Sequence, residues 1–207
     1  MIHLFLGHFI ADHGFTDNAK IRHYKGYKLI EHIIWSLFAL LAFTFDTLLK
    51  TTKGRVVLIL MMLIHAVGDI FRTKIQDNRM KLHIFELSEM IIALVLNFIV
   101  ADQFVYSYIS KEFAIYLLGM AVVTMAVTYF FKNFYPGDEN YNDLDGISER
   151  LAFFVFFLGK NYILAFLSLG LGFLYRLWKR KNERSHVWWI SPLLGIFITI
   201  IWKFLIY

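Results

Sequence analysis

Residues 113–131, FAIYLLGMAVVTMAVTYFF, run for 19 positions without a charged side chain. A helix of that length covers about 28 Å at 1.5 Å per residue, close to the roughly 30 Å hydrocarbon core of a bilayer. It is apolar on every face and must be sheathed by lipid or protein all round. Comparable runs lie at 29–49, 56–71, 82–105 and 187–207, a shorter one at 2–15, and a long one at 147–178 that Gly159-Lys160-Asn161 interrupts. Apolar residues make up 58% of the chain and charged residues 18%, against about 45–50% and 25% in soluble domains. The pattern predicts an all-α polytopic membrane helix bundle with six or seven membrane-inserted elements, some short or re-entrant. Two parts are expected: a front part over 1–105, and a rear part over 106–207 with the acidic loop YPGDENYNDLDG at 135–146, the broken run and a last span over 187–207.

The charges fall between the runs. Lys20, Arg22, Lys25 and Lys28 follow the first run, and Arg72, Lys74, Arg79 and Lys81 follow the third. Basic loops stay in the cytoplasm, so both segments are expected there. RLWKRKNER at 176–184 joins them on that side only if the run over 147–178 turns back at Gly159-Lys160-Asn161. Trp188 and Trp189 open the last run as an interfacial anchor would. This clustering assigns the net charge of +5 to orientation in the bilayer, and nucleic acid is not an expected partner. With no cysteine, disulfides, thiolate metal sites and cysteine nucleophiles are excluded, so any metal must be held by His and carboxylates. The N-terminal run has no basic n-region and no small-residue cleavage site, and is expected to stay in the mature protein. Phosphate-binding, dinucleotide, zincin and nucleophile-elbow motifs are absent.

Ionisable residues inside apolar runs are costly, about 2.5–3.5 kcal/mol for an Asp at a helix centre, and normally face the bundle interior with a partner. Here HFIAD at 8–12 is echoed by HAVGD at 65–69. Four-residue spacing stacks His8 on Asp12 and His65 on Asp69, and Arg72 continues the second face. Glu31 and His32 open another run, and Glu86 and Glu89, with His83 nearby, sit early in the next. These residues are expected to meet in one polar cluster near the cytoplasmic end of the bundle. The candidate metal ligands are His8, Asp12, His32, His65, Asp69 and Glu86, with Asp12 and Asp69 as candidate catalytic groups. Imidazole and carboxylate donors suit Zn, Mn or Fe, and a carboxylate-rich subset suits Mg. The two halves of the front part share an order, His-x-x-x-Asp run then basic loop, that would fit an ancient parallel repeat.

Several stretches together resemble a family of small bacterial integral membrane proteins, a domain of unknown function often encoded beside SatD-type proteins. The resemblance lies in LGHFIADHGFTD (6–17), Lys20, EHIIWS (31–36), LIHAVGDIFRTK (63–74), FELSEM (85–90) and the block from Asp145 to Arg176 with its Gly-x-x-x-Glu-Arg-Leu segment. It covers about two thirds of the chain. The family's Asp-Gln-x-x-His appears here as Glu86, Leu87 and Met90, its Gln after the first Asp as Thr16, and a rear Lys as Gly172. The resemblance implies a multi-pass protein of the bacterial cytoplasmic membrane and carries no activity.

Three functions fit the residues. A bound divalent ion would make a membrane-embedded hydrolase for a lipid or membrane-surface substrate. The same groups would serve a small transporter or proton and ion pathway, with Lys160 as its gate. A self-satisfied network would serve a non-enzymatic assembly or regulatory partner. The expected partners are the lipid bilayer and a protein partner or second copy.

Overall fold

The structure, a computed structural model, describes residues 1–14, 21, 23–179 and 186–207. Thr16, Lys20 and Arg22, and the 180–184 portion of the third basic cluster, lie outside the described residues. All regular structure among the described residues is helical. Contacts divide the chain into two compact units, Met1–Ala114 and Ile115–Tyr207.

In the first unit, α1 (His3–His13) packs on α2 (Tyr27–Ala42) and on α5 (Arg79–Ile99), and the short α3 (Phe45–Leu48) leads into α4 (Thr52–Ile75). α2 stops where Thr44 turns its hydroxyl onto the Leu40 carbonyl at 2.7 Å. Both long helices have side-chain N-caps: Thr51 Oγ1 accepts from the Gly54 amide, and Asn78 Oδ1 from Lys81. Such caps satisfy amides that no helix can pair internally. α1 lacks one of its own. Asn97 of α5 supplies it, accepting from the Leu4 and Phe5 amides at 3.1 and 3.3 Å and donating to the Met1 carbonyl at 2.7 Å. Ser36 of α2 donates to the Ala11 carbonyl. Gly7 lets α1 approach the Leu40 backbone, 3.4 Å from where a β-carbon would stand. α4 and α5 form a hairpin over residues 76–78, with Phe71 against Phe85 at 5.2 Å.

The long helices are inside-out relative to a soluble protein. On α5 the exposed stripe is Met80, Ile84, Leu87, Ile91, Val95 and Phe98, while Glu86, Glu89 and Asn97 are buried. The spacing of three and four residues puts the apolar stripe on one helix face, and charged groups inside with hydrocarbon outside is the arrangement lipid imposes.

The second unit holds α6 (Lys111–Ala121, its first turn belonging to the other unit), a π-turn at Val122–Ala126, α7 (Val127–Asn133), α8 (Leu144–Leu158), α9 (Tyr162–Lys179) and α10 (Val187–Ile206). α8 and α9 are joined at Gly159-Lys160-Asn161, where Lys160 takes φ +61°. Phe157 on Tyr162, Phe153 on Phe166 and Glu149 on Arg176 mark an antiparallel pair. The run does turn back, and Lys160 lies over the Tyr207 ring at 5.0 Å. Arg150, fully buried, anchors this unit. It donates to the Val123 carbonyl at 2.6 Å, to Thr124 O at 3.3 Å, to Ser191 Oγ at 2.5 Å and to Asp143 Oδ2 at 2.7 Å. A π-turn shifts the helical bonding pattern and so offers carbonyls to an outside donor. Gly146 and Gly195 leave room for the guanidinium and its stem.

Four helices among the described residues are long and apolar enough to cross a membrane: Thr52–Ile75, Arg79–Ile99, Lys111–Asn133 and Val187–Ile206. That is fewer than the six or seven inserted elements expected from the runs. α1 has 11 residues and α2 has 16, about 16 and 24 Å of helix against a core of about 30 Å. The run at 147–178 is cut into a 15-residue α8 and an α9 that ends in the charged Tyr175-Arg176-Leu177-Trp178-Lys179.

Candidate metal centre

Four helices of the first unit bring their polar residues to one place. α1 supplies His8 and Asp12, α2 His32, α4 His65, Asp69 and Arg72, and α5 Glu86 and Glu89, all buried. Four-residue spacing on α4 puts His65 Nε2 at 3.3 Å from Asp69 Oδ2, and His32 Nε2 reaches the same oxygen at 3.4 Å. Asp12 completes the group: one donor atom from each of Asp12, His32, His65 and Asp69 lies within 4.8 Å of every other.

Arg72 organises the carboxylates. Its Nη2 donates to both oxygens of Asp12 at 3.1 Å and to Glu89 Oε2 at 3.3 Å. Nη1 stands 3.4 Å from Asp69 Oδ1, and Nε 4.0 Å from Glu86 Oε1. One guanidinium thus faces four carboxylates, and a buried excess of negative charge is strongly unfavourable unless a cation or protons offset it. Gly68 belongs to this packing, since a β-carbon there would run into the Glu89 carboxylate.

Buried polar groups are normally hydrogen-bonded, and exceptions call for an explanation. Among the described residues, both ring nitrogens of His8, His32 and His65 and both oxygens of Asp69 make no hydrogen bond. The 3.3 and 3.4 Å separations match the spacing of donors around an ion at about 2.0–2.1 Å in tetrahedral geometry, which stand about 3.3–3.4 Å apart. Asp12, His32, His65 and Asp69 can therefore hold a metal ion.

The sequence reading placed six residues in the ligand set, and four of them form this group. His8 stands beside it, its ring edge-on to His65 at 5.4 Å. Glu86 lies on the far side of Arg72, 3.7 Å from His83 Nδ1. Glu31, expected in the cluster, is instead exposed at the rim of a cavity that shares His32. Arg72, which continues the His65/Asp69 face and also opens the second basic segment, is 2% exposed and works inside the cluster. Glu89 accepts from Arg72 Nη2 at 3.3 Å, and Glu86, one turn earlier on α5, stands 4.0 Å from Arg72 Nε.

No family model, curated protein or solved structure matches this chain. The geometry therefore carries the functional argument by itself.

Proposed function

We propose that this is a membrane-embedded, metal-dependent hydrolase of the bacterial cytoplasmic membrane, acting on an ester in a lipid or another substrate at the membrane surface. In this reading the short α1, α2 and the α8–α9 hairpin are inserted with the four long helices. The observation that carries it is the division of labour in the cluster. His32, His65 and Asp69 converge with no hydrogen bonds of their own, while Asp12 is held back by Arg72. Two imidazoles and one carboxylate form a three-ligand set, and catalytic ions keep a position open for water or substrate.

A divalent ion held by His32, His65 and Asp69 would lower the pKa of a bound water toward about 7 and polarise the ester. Asp12, beside these three ligands, would take the proton from that water. The water oxygen bonds to the phosphorus or acyl carbon, the ester bond to the leaving oxygen breaks, and that oxygen takes up a proton. Asp12 would return to it the proton taken from water, which closes the proton balance. Arg72 keeps Asp12 oriented and offsets the charge of Glu86 and Glu89.

The test is hydrolysis of a fluorogenic phospholipid in mixed micelles by protein supplied with Zn or Mn. Wild-type protein is expected to turn over and Asp69→Asn to lose both metal and activity. Asp12→Asn is expected to keep its metal while turnover falls by about 10²–10⁴-fold, the usual worth of a general base. Turnover in Asp12→Asn and Asp69→Asn equal to wild type would overturn the reading.

A further inference from the structure

A cavity of about 570 Å³ opens beside the metal centre, within the 300–1,000 Å³ range of small-molecule sites. One wall is a single stripe of α2, since Lys28, Glu31, His32, Trp35 and Ser36 follow the i, i+3, i+4, i+7, i+8 spacing of one helix face. Tyr24 faces them. His32 belongs to both places: it lines the cavity and is one of the four metal-centre residues, 3% exposed and with neither ring nitrogen hydrogen-bonded. Whatever enters the cavity reaches the candidate ion from the α2 side.

The chemistry of the walls changes along α2. Its first turn carries Lys28 and Glu31, both exposed, so this end offers one positive and one negative group. One turn further on, Trp35 is 61% exposed, an amphipathic ring of the kind that settles at headgroup level. Outside the cavity lining, Ile30, Ile34 and Phe38 present an exposed apolar face on another side of α2. A charged end and an interfacial ring within the cavity, with an apolar strip on the adjoining outer face of the same helix, match an amphiphile that puts its head in the cavity and its chains in the bilayer.

We infer that the cavity is the binding site for a zwitterionic phospholipid with a primary ammonium. Its phosphate sits on Lys28 and the Tyr24 hydroxyl, its ammonium on Glu31, and its acyl chains lie along Ile30, Ile34 and Phe38. The headgroup ester then lies next to His32. A wholly anionic headgroup fits worse, because Glu31 and the carboxylates of Asp12 and Asp69 behind His32 repel a second negative charge. The inference deepens the hydrolase reading and rests on it for the fate of the headgroup; the binding itself rests on the cavity.

The experiment is native mass spectrometry of the full chain released from micelles holding equal amounts of phosphatidylethanolamine and phosphatidylglycerol, with metal content measured on the same samples. The wild type is expected to retain phosphatidylethanolamine in preference. Lys28→Glu, an exposed substitution, is expected to lower that retention about tenfold, as loss of a charge-assisted hydrogen bond does, and Glu31→Lys to turn the preference toward phosphatidylglycerol. Equal retention of the two lipids, a wild-type preference for phosphatidylglycerol, or indifference to Lys28→Glu would overturn the inference. So would free phosphoethanolamine binding as tightly as the lipid. Metal-loaded protein indifferent to headgroup removes this inference and leaves the hydrolase; metal-free protein selective for phosphatidylethanolamine removes the hydrolase and leaves the lipid site.

Discussion

Each unit buries a cluster of charge, and the two clusters are built on opposite principles. In Ile115–Tyr207 every nitrogen of Arg150 donates, Asp143 answers its charge, and Glu149 answers Arg176. In Met1–Ala114 one arginine faces four carboxylates, and three imidazoles lie buried without hydrogen bonds among the described residues. The first pattern is what a fold needs to keep charge out of lipid, since a satisfied and balanced network has nothing left to bind. The second leaves its charge to be offset by a cation or by protons, and a cation with nitrogen and oxygen ligands would use its donors together. Buried ionisable residues alone therefore do not mark a site; unspent donors and unbalanced charge do.

The largest effect separating the clusters is expected at Arg150. Arg150→Met leaves the Asp143 carboxylate buried and unanswered, and breaking such a pair costs about 3–5 kcal/mol. Thermal unfolding in detergent should show that loss with and without added metal. His65→Leu should behave differently. It removes donors that bond to nothing in the fold, so metal-free protein should stay within about 1 kcal/mol of wild type. In the presence of metal at a hundred times its Kd, however, the variant should lack the roughly 2.7 kcal/mol of stabilisation that wild type gains. If His65→Leu destabilises the metal-free protein as much as Arg150→Met does, the front cluster is a structural network like the rear one.

Two glycines sharpen the contrast at smaller cost. Gly68→Ala drives a β-carbon into the Glu89 carboxylate and should destabilise by about 1–3 kcal/mol, as overpacking does, with weaker metal binding in the same titration. Gly170→Ala, in α9 where a β-carbon would meet nothing within 4 Å, should stabilise by about 0.5–1 kcal/mol through helix propensity alone. Acidification gives a further check. Metal ligands must be deprotonated, so apparent affinity should fall on acidification as protons compete for the ligands, and a dye-competition titration would show it.

The front cluster was legible because each half announces itself locally. His65 and Asp69 stand on one helix face by spacing alone, and HFIAD repeats the pattern in a second run. What spacing could not supply was the meeting of four helices, so Glu31 was grouped with His32 although a 100° step along α2 carries it out to the cavity rim. The rear network was hidden for a related reason. Arg150 sits in an apolar run, which was a signal in itself, but its partners come from a loop aspartate, two carbonyls freed by a π-turn and a serine 41 residues away. Only Asp143, seven residues before it, stands at a helical interval, and it precedes the helix as a loop residue. Span counting ran high where helices are short: α1 has 11 residues and Thr44 ends the run at 29–49 early, whereas the break at Gly159-Lys160-Asn161 was legible in the run at 147–178.

The most direct test is elemental analysis of detergent-purified protein, wild type beside His65→Ala, Asp69→Asn and the cavity-rim variant Lys28→Glu. Wild type and Lys28→Glu should carry roughly one equivalent of a divalent transition metal, and both cluster variants should lose it while still folded, as metal sites do when a ligand is removed. Folded wild-type protein that stays metal-free after incubation with Zn or Mn, or metal retained undiminished in His65→Ala, would contradict the account.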